Sequence, residues 1–123
     1  MVRHVANQST QLDHVFHALS DPTRRAVLHR LGTGDAAVSE LARPFEMALP
    51  SFLQHLRVLE RSGLVRSQKS GRVRTYRLSR APLRAAEAWI TEERARWEQR
   101  LDRLDDYLMS LDPAAARKPK KER

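Results

Sequence analysis

The chain has 123 residues, with 23 Lys and Arg against 15 Asp and Glu and a formal charge of +8; the length holds one domain, which excludes a two-domain enzyme, and the charge favours an acidic polymer or surface as partner. A composition of 41% hydrophobic and 31% charged residues excludes a wholly disordered chain, and the lack of cysteine excludes disulfides, thiolate nucleophiles, iron–sulfur clusters and sulfur-built zinc sites. No run of about 18 apolar residues exists to span a bilayer, and Met1-Val2-Arg3-His4 lacks the apolar stretch of a secretory signal, so a cytoplasmic protein without membrane contact is expected.

Residues 1–8 carry nothing to anchor a core and are expected to be flexible, ahead of a folded domain over residues 9–112. From about Thr10 to Leu19, the residues Leu12, Val15, Phe16 and Leu19 recur at helical spacing. Asp21 is placed to cap a second helix with Pro22 at its first position, where a missing N–H costs nothing; Ala26, Val27, Leu28 and Leu31 follow, and Gly32-Thr33-Gly34 ends it. Ser39 is the expected cap of a short third helix through Glu40, Leu41 and Ala42, stopped by Pro44, with a turn over residues 44–49. A fourth helix begins at Pro50 and stops at Gly63, burying Phe52, Leu56 and Leu59 and leaving Ser51, Gln54 and His55 elsewhere. Two short helices joined by a tight turn, the second with small and amide side chains at its start, have the layout of a helix-turn-helix.

The next segment departs from the average. Residues 61–82 hold Arg61, Arg66, Lys69, Arg72, Arg74, Arg77 and Arg80 with no acid, a local charge of +7, whereas residues 1–60 sum to zero. Within it, Leu64 to Lys69 and Arg72 to Leu78 read as two strands joined at Ser70-Gly71, a basic β-hairpin. From Pro82 to Leu111 a long helix carries Trp89 or Ile90, Trp97, Leu101, Leu104, Leu108 and Leu111 at spacings of three and four. At 1.5 Å per residue it would be about 45 Å long, more than a domain of this size can cover, so its apolar seam calls for a partner and a homodimer is expected. Residues 113–123 contain two prolines and a cluster of like charges, and read as a disordered basic tail.

The run Ala18-Leu-Ser-Asp-Pro-Thr-Arg-Arg25 resembles the opening signature of the ArsR family of bacterial winged helix-turn-helix regulators. Val38-Ser-Glu-Leu-Ala42, the stretch from Leu49 to Glu60, and Ser62-Gly-Leu-Val65 before the basic hairpin continue that resemblance in order, over about residues 14–108. The resemblance implies a mainly α fold with a small hairpin, in the order α-α-α-α-β-β-α. It further implies a recognition helix over residues 50–62, a wing over 64–78, and a dimer interface from the first and last helices. On that basis Leu12, Phe16, Trp89, Ile90, Trp97, Leu101, Leu104 and Leu108 are the expected dimer contacts. The function implied is that of a sequence-specific regulator of transcription, a repressor binding a palindromic operator as a dimer. Leu53 stands where many relatives carry a serine beside Gln54-His55, so no hydroxyl is offered to DNA at that position.

The expected DNA contacts follow from side-chain chemistry. Gln54 can bond bidentately to adenine, and Ser51 and His55 can read base edges; Arg57 suits phosphate, as do Lys69, Arg72, Arg74 and Arg77 in the wing. The duller readings are a solvated helix face and a solvated basic run. Without cysteine, and without histidine in the long helix, the metal sites usual in the family are absent. His14 and His17, one turn apart, could hold a metal with His4 across a dimer, but two ordinary surface imidazoles are the plainer account. No metal or cofactor is therefore expected. Trp89 and Trp97 read as packing residues before an effector pocket, and the sequence names no inducing signal. No hydrolase elbow, phosphate-cradling glycine loop or nucleophile–base pairing is present, so no enzyme activity is expected; a metal-responsive repressor and a nonspecific nucleic-acid binder are the competing readings.

Overall fold

A computed structural model describes the backbone of residues 2–112 and the side chains of residues 10–112; the basic segment 113–123 lies outside the described residues. Its elements are α1 (Val2–Leu19), α2 (Pro22–Leu31), β1 (Ala36–Ala37), α3 (Val38–Ala42), α4 (Leu49–Ser62), β2 (Val65–Ser70), β3 (Val73–Leu78) and α5 (Ala81–Leu111). The expected order of helices and strands is present, with one addition, the short strand β1. The residues fall in two units, one up to Glu87 and one from Ala88 onward within α5.

In the first unit, local chemistry sets the helix ends. Asp21 caps α2: its Oδ2 accepts the Arg24 backbone N–H at 3.0 Å, and Pro22 occupies the first turn. Such a cap is worth about 1 kcal/mol. The helix α1 begins at Val2, ahead of the Thr10 at which the apolar spacing starts, so the helical backbone runs through residues expected to be a flexible end. For α3 the expected cap is displaced. Ser39 lies inside the helix, and the N-cap is Ala37, whose N–H is accepted by the Glu40 carboxylate at 3.0 Å. At the far end of α4, Gly63 adopts φ +82°, and a Cβ there would press within 3.2 Å of Pro82 and 3.3 Å of Gln11, so only glycine both turns the chain and fits.

The core of this unit is apolar and continuous. Val15 and Ala18 of α1, Val27 and Leu31 of α2, Leu41 of α3, and Phe52, Leu56 and Leu59 of α4 are all buried, and Leu64, Val65 and Tyr76 with Ala86 of α5 complete the cluster. Full burial of a Leu or Phe contributes roughly 1.5–3 kcal/mol each, so the α4 stripe is the strongest single tether of that helix. Phe45, in the turn before α4, packs on Phe52 of that helix with ring centroids 5.5 Å apart. Ser62 is buried without being orphaned, since its hydroxyl donates to the Leu59 carbonyl at 2.6 Å and accepts the Leu64 N–H at 3.1 Å.

The sheet is antiparallel in the order β1-β3-β2, and β3 pairs with both neighbours. The register places Ser70 opposite Val73, so the hairpin loop is Gly71-Arg72 rather than the expected Ser70-Gly71. Gly71 sits at φ +64° in the first loop position, the conformation that a two-residue turn of this kind asks of glycine. One consequence is that Arg72 belongs to the tip and not to the strand.

The second unit is the helical stretch of α5 from Ala88. Its large apolar side chains are exposed: Trp97 is 60%, Leu101 61%, Leu104 52% and Leu108 53% accessible, with Trp89, Ile90, Tyr107 and Leu111 also open. No helix among the described residues is long and apolar enough to cross a membrane.

Candidate nucleic-acid interface

The helix α4 has two functional sides. Phe52, Leu56 and Leu59 turn inward, while Ser51, Gln54 and His55 share the outer side, with Val58, partly buried against the core, at its edge. Together with Pro50 and Arg24 of α2 these outer residues line an open hollow of about 420 Å³. The three expected base-reading residues, Ser51, Gln54 and His55, are therefore brought together. Ser51 and Gln54 are exposed, and His55 is half-buried. Leu53 packs against the core as a partly buried residue, which accounts for an apolar side chain beside the polar ones.

Arg24 is the residue in this hollow that the sequence pattern did not single out. It is buried, and each of its three side-chain nitrogens donates inside the protein: Nε to the Ala18 carbonyl at 2.9 Å, one terminal nitrogen to the His17 carbonyl at 3.0 Å, and the other to His55 Nδ1 at 3.0 Å. Asp21 Oδ2 lies 3.6 Å from the same His55 Nδ1. Burial alone would raise the Asp21 carboxyl. The Arg24 N–H, His55, the Arg24 charge and the Thr23 N–H outweigh it and hold the carboxyl below the ordinary carboxylate value. His55 and Arg24 are separated by 31 positions, so no local pattern could have paired them.

Arg57 is exposed but does not line the hollow; its charge, with that of Arg74, acts on the Tyr76 phenol at the base of the sheet. Burial pushes that phenol up, and the neighbouring Glu60 carboxylate adds to the rise against both arginines. Glu60 also accepts the Ser67 hydroxyl at 2.8 Å, and Ser67 in turn accepts from Arg74 at 2.8 Å. The last turn of α4 is thus tied to both strands of the hairpin.

On the hairpin the register sorts the basic residues. Lys69 stands opposite Arg74, on the face that also carries Ser67 and Tyr76, while Arg77 stands opposite Arg66 on the other face, and Arg72 is at the tip. The structure therefore groups Lys69, Arg74 and Arg72 and separates Arg77 from the first two. Directly opposed like charges destabilise a strand pair, and two such pairs in one short hairpin fit a surface whose counter-charge comes from outside.

Residues 19–68 match the family described as "Helix-turn-helix domain". The HTH-type transcriptional regulator Rv2034 of Mycobacterium tuberculosis is 42% identical over 73 residues, 59% of this chain and 68% of that protein. The transcriptional repressor SdpR of Bacillus subtilis is 32% identical over 79 residues, 64% of this chain and 88% of that protein. The crystal structure of the ArsR family transcriptional regulator RHA00566 superposes with a TM-score of 0.71 at 56% identity, covering 73% of this chain and 93% of the other. The chain belongs to the ArsR family. It is a winged helix-turn-helix transcriptional regulator that binds DNA, with α3 and α4 as the helix-turn-helix and β2–β3 as the wing.

Within this ArsR-family chain the expected dimer residues occupy two environments. Leu12 and Phe16 of α1 are partly buried against the core of their own unit. Trp89, Ile90, Trp97, Leu101, Leu104 and Leu108 of α5 are exposed. Among the described residues no group of three or more histidines and carboxylates is placed to hold a metal ion.

Proposed function

We propose that this ArsR-family regulator is a repressor that binds a palindromic operator as a homodimer. Two α4 helices enter successive major grooves about 34–36 Å apart, and the wings hold flanking phosphates. Ser51, Gln54 and His55 read base edges, Arg57 contacts backbone, and Lys69, Arg72, Arg74 and Arg77 supply sequence-independent attraction. The dimer forms through the α5 seam of Ile90, Trp97, Leu101, Leu104 and Leu108, with Trp89 beside it and the open surface of Leu12 and Phe16 contributing from α1. Repression follows from occupying promoter DNA against polymerase, in keeping with the similarity to SdpR, a transcriptional repressor by name.

The observation that carries this reading is the juxtaposition of a solvent-open polar side of α4 with a hairpin whose basic residues oppose one another across the strands. A binding titration against the chain's own upstream region and a scrambled duplex, at two salt concentrations, tests it. The upstream duplex is expected to bind at least about 10³-fold more tightly than the scrambled one, and a ratio near one overturns operator reading in favour of nonspecific binding.

A further inference from the structure

The hollow beside α4 holds a contact whose chemistry has one solution. A guanidinium has five N–H donors and no acceptor, and it does not lose its proton. The Arg24 terminal nitrogen 3.0 Å from His55 Nδ1 must therefore be the donor, and Nδ1 must be a bare acceptor. A histidine whose Nδ1 is bare and whose ring is neutral carries its proton on Nε2. Asp21, at 3.6 Å from Nδ1, is too far for a good hydrogen bond and does not compete for that position.

The other nitrogen is free to act. No protein group among the described residues bonds to His55 Nε2, and no side-chain nitrogen or oxygen there is both buried and unsatisfied, so Nε2 is reached by solvent. His55 lines the same hollow as Ser51 and Gln54. The Arg24 side chain is held by the Ala18 and His17 carbonyls at the end of α1, and its backbone is fixed by the Asp21 carboxylate, which accepts its N–H. A side chain so constrained is an anchor, and the ring it touches inherits its orientation.

We propose that Arg24, seated by Asp21, is a positioning residue for DNA reading: it locks His55 in the Nε2–H form, so that His55 meets the operator as a hydrogen-bond donor. The groups that fit a donor at that point are guanine O6 or N7, adenine N7 and thymine O4, whereas the cytosine amino group, itself a donor, does not fit. The proposal rests on operator reading by α4. It adds a residue outside the recognition helix to the set that determines sequence preference.

The test uses the full-length, nitrogen-15-labelled protein and the same pair of duplexes. Long-range proton–nitrogen correlations at neutral pH are expected to show His55 Nδ1 unprotonated and Nε2 protonated in the free protein. Arg24→Gln is expected to mix the two forms and to lower the preference for the upstream duplex while leaving the salt slope unchanged. Because Arg24 also ties α1 to α2, a second pair of variants avoids disturbing it. His55→Asn keeps an acceptor where Nδ1 was but does not reach as far as Nε2, and is expected to fold normally and lose about fivefold of the preference. His55→Gln places an amide N–H near the Nε2 position and is expected to recover most of that loss. A proton on Nδ1, or undiminished preference in His55→Asn, overturns the proposal with operator reading intact. If the wild-type protein does not prefer its upstream duplex, operator reading fails and the donor role fails with it, whatever the tautomer.

Discussion

Glu60, in the last turn of α4, accepts the Ser67 hydroxyl of β2 at 2.8 Å, and this bond joins the recognition helix to the wing. Arg74 donates to the same hydroxyl from β3 at 2.8 Å, so three elements meet at one oxygen. The Glu60 carboxylate is thus hydrogen-bonded through Ser67, with the Arg74 guanidinium one bond further on. Ser67→Ala removes the shared oxygen and is expected to cost about 0.5–1.5 kcal/mol in denaturant unfolding. Its effect on DNA binding should exceed that of removing a surface hydroxyl, because the angle between α4 and the wing is loosened. An affinity equal to the wild type's, measured with that stability loss in hand, would show that the bond serves folding alone.

The wing predicts opposite signs for binding and stability. Arg66 and Arg77 face each other across the strands, both exposed. Arg77→Gln relieves that repulsion and is expected to raise the unfolding midpoint slightly at low salt while weakening every duplex alike. Arg72→Ala together with Arg74→Ala should flatten the dependence of log K on log salt by about 0.9 for each phosphate that the wing no longer neutralises. A slope equal to that of the wild type would mean that the wing does not touch phosphate.

Much of this arrangement was legible because it rests on local chemistry. The Phe52–Leu56–Leu59 stripe, the Asp21-Pro22 start and the Gly63 stop each follow from spacing or backbone preference, and each stands where expected. What was hidden depends on tertiary partners. The two residues of β1 show no alternation, and they become a strand only because Ala36 and Ala37 lie opposite Tyr76 and Thr75. Ser39 looked the better cap by residue type, but α3 starts where β1 ends, and the Glu40 carboxylate serves the Ala37 N–H instead. The hairpin loop slipped by one position because Gly71 suits either loop position, and the cross-strand register decides between them. Arg24 was visible as part of a family signature, yet its contact with His55 spans 31 positions and belongs to packing.

The lowered carboxyl of Asp21 gives a pH dependence with a definite sign. Its folded-state value lies below the unfolded one, so the stabilisation is fully present above the unfolded carboxylate range near pH ~3.9 and is lost as pH falls through the lower folded value. Asp21→Asn should therefore be less stable than the wild type at neutral pH, and the gap should close as acid protonates the wild-type carboxyl. The amide keeps an acceptor for the Arg24 N–H, so what the substitution removes is the charge interaction with Arg24. Denaturant midpoints of both proteins between neutral pH and about pH 3 measure it. Parallel curves would assign the Asp21 contribution to capping geometry alone.

The exposed seam of α5 makes the strongest demand on assembly. Ile90, Trp97, Leu104 and Leu111 recur every seven residues, with Leu101 and Leu108 between them, the spacing of a helix that packs along one stripe. Arg100 lies 5.9 Å from the Trp97 ring centre and covers part of one aromatic residue, but among the described residues the seam leucines have no such cover, and exposed apolar surface of this extent marks an interaction site. Leu101→Glu with Leu108→Glu puts charges into the stripe at sites already open to solvent, so the core of the first unit is untouched. The double variant is expected to keep its helical circular dichroism, sediment as a monomer, and bind the upstream duplex roughly 10²-fold more weakly, because the two half-sites are no longer linked. A variant that remains dimeric would remove α5 from the interface and leave the open surface of Leu12 and Phe16 on α1 as the place to look.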